Sequence, residues 1–88
     1  MHVTILGRRW RLEFVPKFTD RHQYGECDHP EKLNKAIRIK DGMNEFDTLD
    51  SIIHEATHAA GWHVDEEFVS RFATDLARIL IRLGYRRA

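Results

Sequence analysis

Apolar and polar residues alternate along the front of the chain and recur at helical spacing along the back. Val3 and Ile5, then Trp10, Leu12 and Phe14, are separated by polar neighbours, the period-two pattern of half-buried strands. Gly7-Arg8 between the two runs predicts a tight hairpin turn, with glycine supplying a positive φ. Pro16 ends the second run. Residues 19–34 are polar and hold Gly25 and Pro30, so they read as a loop, with a short extended piece around Tyr24. Residues 36–40 (Ala36, Ile37, Arg38, Ile39, Lys40) predict a third strand, closed by Asp41-Gly42.

Two helices are expected after that. The first starts near Asp47 or Thr48, with Asp47 as N-cap and Asp50 in the first turn. Leu49, Ile52, Ile53, Ala56 and Ala60 fall on one side of it, and Gly61 stands where a left-handed C-cap is wanted. The second helix takes Asp65 as N-cap and Glu66 and Glu67 in its first turn. Phe68, Val69, Phe72, Ala73, Leu76, Ile79, Leu80 and Leu83 give it an apolar stripe, and Gly84 stops it. The expected fold is α+β: a small, mostly antiparallel three-stranded sheet followed by two helices packed on one face.

With 88 residues, the chain is long enough for one domain, spanning 1–88. A domain of this size buries only about 60–65% of its unfolded surface, so a metal or a second copy would add useful stability. Monomer and homodimer both stay open. The 14 basic residues balance 14 acidic ones, and nothing predicts nucleic-acid affinity. Arg71, Arg78, Arg82, Arg86 and Arg87 read as a solvated helix face and tail. Cys27 is the one cysteine, so no internal disulfide forms, and a reducing cytoplasm is the expected compartment. No apolar run reaches transmembrane length, and residues 1–9 lack the pattern of a signal peptide.

The chemistry-bearing feature is His54-Glu55-Ala56-Thr57-His58. Two residues four apart on a helix lie about 40° apart around the axis, one turn above the other, so two imidazoles can hold one tetrahedral ion. Glu55 is turned by about 100° from His54, beside the metal, where it can take a proton from activated water and return it to a leaving amine. These are the mechanics of the HExxH zinc-peptidase motif.

A catalytic zinc needs a third protein ligand, and His63, Asp65, Glu66 and Glu67 all follow. The HExxHxxGxxH pattern finds its glycine in Gly61, but its last position is Val64, and His63 comes one residue early. Asp65 is the best N-cap, and Glu67 points to the solvent side of the second helix. Glu66 flanks the apolar stripe near Val69 and Ala73 and is the favoured third ligand.

The run from His54 to Trp62, followed by Asp65-Glu66-Glu67-Phe68-Val69 and by Ala73 to Tyr85, resembles the small zincin-type metallopeptidases encoded by bacteriophages. It is more loosely similar to ImmA/IrrE-type and SprT-like minimal gluzincins. The resemblance covers residues 49–85 closely and the front half by strand pattern only. It implies His54, His58 and an acidic residue of the second helix as ligands, Glu55 as base, and a host-cytoplasmic setting for a phage protein.

Other residues carry weaker signals. Cys27 with His22 and His29 fits no compact zinc spacing, and a lone cysteine is usually a small core filler. Tyr24, Tyr85 and His63 are possible oxyanion donors, and Trp62 reads as a core or lip residue. The sequence therefore predicts a Zn2+-dependent peptidase acting on a protein or peptide substrate. The alternative is a zinc-binding interaction module with a catalytically silent site.

Overall fold

The computed structural model describes residues 1–87. The strands are β1 (His2–Ile5), β2 (Arg8–Val15), β3 (Gly25–Cys27) and β4 (Ala36–Lys40), followed by helices α1 (Glu45–Ala60) and α2 (Glu66–Arg82). The sheet runs β1-β2-β4-β3. β1 pairs antiparallel with β2, β2 parallel with β4, and β4 antiparallel with β3. The α+β class matches the sequence reading, but the sheet has four strands, not three, and its central pair is parallel. A parallel pair needs a crossover, and the polar loop that supplies it carries the short fourth strand.

The β1–β2 turn is Leu6-Gly7, one residue earlier than expected, with φ of 48° and 78°. Positive φ at both turn positions matches the right-handed twist of the flanking strands. Leu12 lies beside Ile37 and Phe14 beside Ile39 in the parallel register. Trp10, Ile37, Ile39 and Ala59 form the buried core, with Val3, Ile5, Leu12, Phe14, Met43 and Ile52 packed against it.

α1 begins earlier than Asp47. Its N-cap is Asn44, whose Oδ1 accepts from the Asp47 amide at 2.7 Å while its side-chain amide donates to Asp47 Oδ2 at 3.1 Å. Asparagine and aspartate cap equally well, and the extra turn draws the half-buried Phe46 into the helix. Gly61 is not left-handed, with φ of −144°. A Cβ there would lie 2.6 Å from Val64 Cγ2, so any larger residue would have to displace that side chain. Asp65 does cap α2, Oδ2 accepting from the Phe68 amide at 3.0 Å.

The helices do not share one face of the sheet. α1 lies against the sheet, while α2 packs on α1 and reaches no strand. Val69, Ala73 and Ala77 of α2 are fully buried, and their small side chains let the helices approach closely. The buried positions of α1 are Thr48, Ser51, Glu55 and Ala59, while Leu49, Ile52, Ile53 and Ala56 are half-buried and Ala60 is exposed. Because α1 is covered from two sides, its most buried line is not its most apolar one.

Candidate metal centre

His54 and His58 project from the same side of α1, their Nε2 atoms 3.2 Å apart. The turn after Gly61 and the Asp65 cap bring the start of α2 back toward this pair. Glu66 Oε1 lies 2.9 Å from His54 Nε2, and Oε2 lies 2.7 Å from His58 Nε2. Among the described residues, His54, His58 and Glu66 form the one such cluster whose ligand atoms all lie within 4.8 Å of one another. Both histidines are half-buried, and Glu66 is exposed.

The donor set suits a small divalent ion. Bonds of about 2.0–2.2 Å in tetrahedral geometry separate donors by roughly 3.3–3.5 Å. The observed separations of 3.2, 2.9 and 2.7 Å are shorter, so the donors would spread by a few tenths of an ångström or more around an ion. Two imidazoles and one carboxylate are a hydrolase-type zinc set with a fourth position left for water.

The other acidic candidates go elsewhere. Glu67 pairs with Arg71 one turn on, at 3.3 Å, and Asp65 is occupied as a cap. His63 is exposed and outside the cluster.

Glu55 points toward the sheet and is buried. Burial, then the charges of Glu66 and Glu26, push its carboxyl up to about 7. Its side chain rests on Gly25 of β3, where a Cβ would stand 3.0 Å from Glu55 Cγ and 3.1 Å from Oε2. Two hollows meet at Glu55. One, of about 240 Å³, is lined by His22, Tyr24, Gly25, Asp50, Ser51 and His54. The other, of about 300 Å³, is lined by Cys27, His58 and Trp62.

Tyr24 thus borders the cluster. Tyr85 lines a different apolar hollow, with Leu49, Ile52 and Leu80, that holds none of the cluster residues. Trp62 forms a lip and meets His29 edge-on, with ring centres 4.9 Å apart. His22, Cys27 and His29 make no cluster among the described residues. Burial, then the charges of Glu55 and Asp28, push the Cys27 thiol up to about 12, which disfavours the thiolate at neutral pH.

Sequence reasoning missed Gly25, Asp50 and Ser51 as neighbours of the site. Asp50 stands one helical turn before His54 and accepts a hydrogen bond from Thr74 Oγ1 of α2 at 3.3 Å. Burial raises its carboxyl above the ordinary range. The i, i+4 relation to His54 was the available signal. Gly25 had none, because its neighbour is brought by long-range packing. Comparison of the chain with protein families, with curated proteins and with solved structures found no match.

Proposed function

We propose that the chain is a zinc-dependent metallopeptidase. The observation that carries the reading is the convergence of His54, His58 and Glu66 beside the buried carboxyl of Glu55. Zinc held by those three residues would supply a Lewis acid that activates water for attack on a peptide carbonyl. Glu55 holds its proton weakly near neutral pH, as a group that both takes and returns protons should. β3 is an edge strand, and a peptide laid along it by strand addition would pass Glu55 with side chains directed to the Tyr24 and Trp62 hollows. Protein or peptide segments are therefore the substrate class.

No helix is long and apolar enough to cross a membrane among the described residues. A single protonated thiol suits work in a reducing cytoplasm.

The competing reading is a zinc-binding interaction module, favoured by the exposure of Glu66 at the mouth of a shallow site. Both readings need the three ligands, but only the peptidase needs Glu55. The test is zinc content of the purified protein and of His58→Ala, Glu66→Ala and Glu67→Ala, with cleavage of an unstructured protein followed on the same samples. One zinc per chain, lost in the first two variants and kept in the third, supports the ligand set. Cleavage that stops in Glu55→Gln with zinc retained supports the peptidase. Zinc without cleavage of any unstructured substrate favours the module, and absence of zinc under all conditions sinks both.

A further inference from the structure

We propose that the outer face of α2 is a self-association surface on which a second copy of this chain docks through its own α2, antiparallel, about a two-fold axis. This does not depend on the peptidase reading.

The face is apolar and open. Phe68, Phe72, Ile79 and Leu83 are 56%, 46%, 54% and 69% exposed. At about 100° per residue all four fall within roughly 60° of the helix circumference, beside the buried Val69, Ala73 and Ala77 line on one flank and beside Asp75, which is paired with Arg78, on the other. Phe68 and Phe72 already stack with each other, ring centres 5.8 Å apart and 6° from parallel. Solitary exposed apolar residues need no explanation, but four aligned on one side of a helix mark a docking face.

The spacing and the charges select the occupant. The stripe reads nearly the same from either end: two apolar residues four apart, a gap of seven, then two more four apart. An antiparallel copy therefore sets Phe68 against Leu83 and Phe72 against Ile79, twice over, as an isologous interface requires. Asp65, Glu66 and Glu67 mark one end of α2 and Arg78, Arg82 and Arg86 the other. Antiparallel docking sets the acidic first turn of each copy toward the basic last turn of the other and opposes the helix macrodipoles, whereas parallel docking would join like ends. An anionic membrane surface fits less well. Glu66–Arg82 carries Glu66, Glu67 and Asp75 against Arg71, Arg78 and Arg82, so α2 has no net positive charge to draw it there.

Glu66 lies on the α1 side of α2, so docking leaves the histidine cluster open. The four side chains expose on the order of 400 Å² per copy, which places the pair at the small end of specific interfaces. The dimer should dissociate on dilution into the micromolar range.

The experiment is sedimentation of the purified chain across that range, with Phe72→Glu, Ile79→Lys and their equimolar mixture. The expected result is a mass that rises from 10.4 kDa toward twice that value in the unmodified chain. Each single variant should stay monomeric with an unchanged far-ultraviolet spectrum. The mixture should dimerise again, because the new carboxylate of one copy meets the new amine of the other. A chain that stays monomeric at the highest concentration overturns the proposal, and so does a dimer that survives Phe72→Glu. Failure of the mixture to re-associate overturns the antiparallel register. Monomeric chain that floats with phosphatidylserine vesicles, and loses this in Phe72→Glu, reassigns the stripe to a lipid surface.

Discussion

Gly25 and Glu55 are in direct contact across two elements: the edge strand leaves out a side chain where the helix inserts a carboxylate. A Cβ at position 25 would stand 3.0 Å from Glu55 Cγ and 3.3 Å from the Arg38 carbonyl oxygen. Since β3 is held to β4 from the other side, the side chain of Glu55 is what must shift. On the proposed peptidase reading, in which Glu55 carries the proton, Gly25→Ala should lower the rate of peptide cleavage by about 10- to 100-fold, because small misplacements of such a group are costly. Zinc content and the thermal midpoint should change little. If Gly25→Ala cleaves at the unmodified rate, Glu55 has freedom that this contact denies it.

Asp28 pins the end of β3 to β4. Its Oδ2 accepts from the Ala36 amide at 2.9 Å, its Oδ1 accepts from Arg38 at 3.0 Å, and Lys32 stands 3.4 Å away. Burial pushes this carboxyl up, but the hydrogen bonds from Arg38 and Ala36 and the charges of Arg38 and Lys32 outweigh it and hold the group below the ordinary range. A folded-state value below the unfolded one means a stabilisation present above the unfolded value and lost as pH falls through the folded one. Asp28→Asn should cost about 1–3 kcal/mol at neutral pH. The gap in thermal midpoint between the two proteins should close as pH is lowered below the ordinary carboxylate range. A gap that stays constant down to the most acid pH would show that the charge of Asp28 contributes nothing.

What the sequence carries locally was legible, and what arises from distant pairing was not. The histidine pair and Glu55 on one helix follow from 3.6 residues per turn, and the Asp65 cap placed Glu66 at the first turn of α2. The short extended piece expected around Tyr24 is the strand Gly25-Glu26-Cys27, but it has no alternation from which its pairing with the edge of β4 could be read. The buried line of α1 was hidden for a related reason. Thr48, Ser51 and Glu55 are polar, and the apolar pattern of Leu49, Ile53 and Ala56 drew attention away from them. Asn44 and Asp47 are interchangeable as caps by chemistry, and Asn44, two residues after the Asp41-Gly42 turn, is the one that stands at the start of α1.

Leu6 is a local choice at odds with its conformation. It takes φ of 48° in the β1–β2 turn while 79% exposed, so no packing compensates the strain on a bulky side chain. Asparagine tolerates this region far better and is favoured in such turns. Leu6→Asn should stabilise the fold by about 0.5–1 kcal/mol, read as a higher denaturant midpoint with unchanged slope. A lower midpoint would mean that Leu6 makes a contact worth more than its backbone strain.

Ala73 sits at the centre of the α1–α2 contact, fully buried between Val69 and Ala77. The same contact sets how far Glu66 stands from His54 and His58, since α2 itself packs on α1 and, among the described residues, reaches no strand. Ala73→Leu inserts three carbons where there is no space, and overpacking of this kind costs about 1–3 kcal/mol. The helices should separate by a fraction of a side chain, drawing the carboxylate away from the imidazoles. If the proposed zinc site is right, zinc affinity should then fall by about 10- to 100-fold, the scale on which supporting residues tune a metal site. Ala73→Gly, which opens the contact without pushing, should lose stability and keep most of the affinity. Equal zinc binding in Ala73→Leu and the unmodified chain would mean that Glu66 follows the histidines independently of helix spacing, or that it does not bind the metal at all. Zinc content of Glu66→Ala separates those two outcomes.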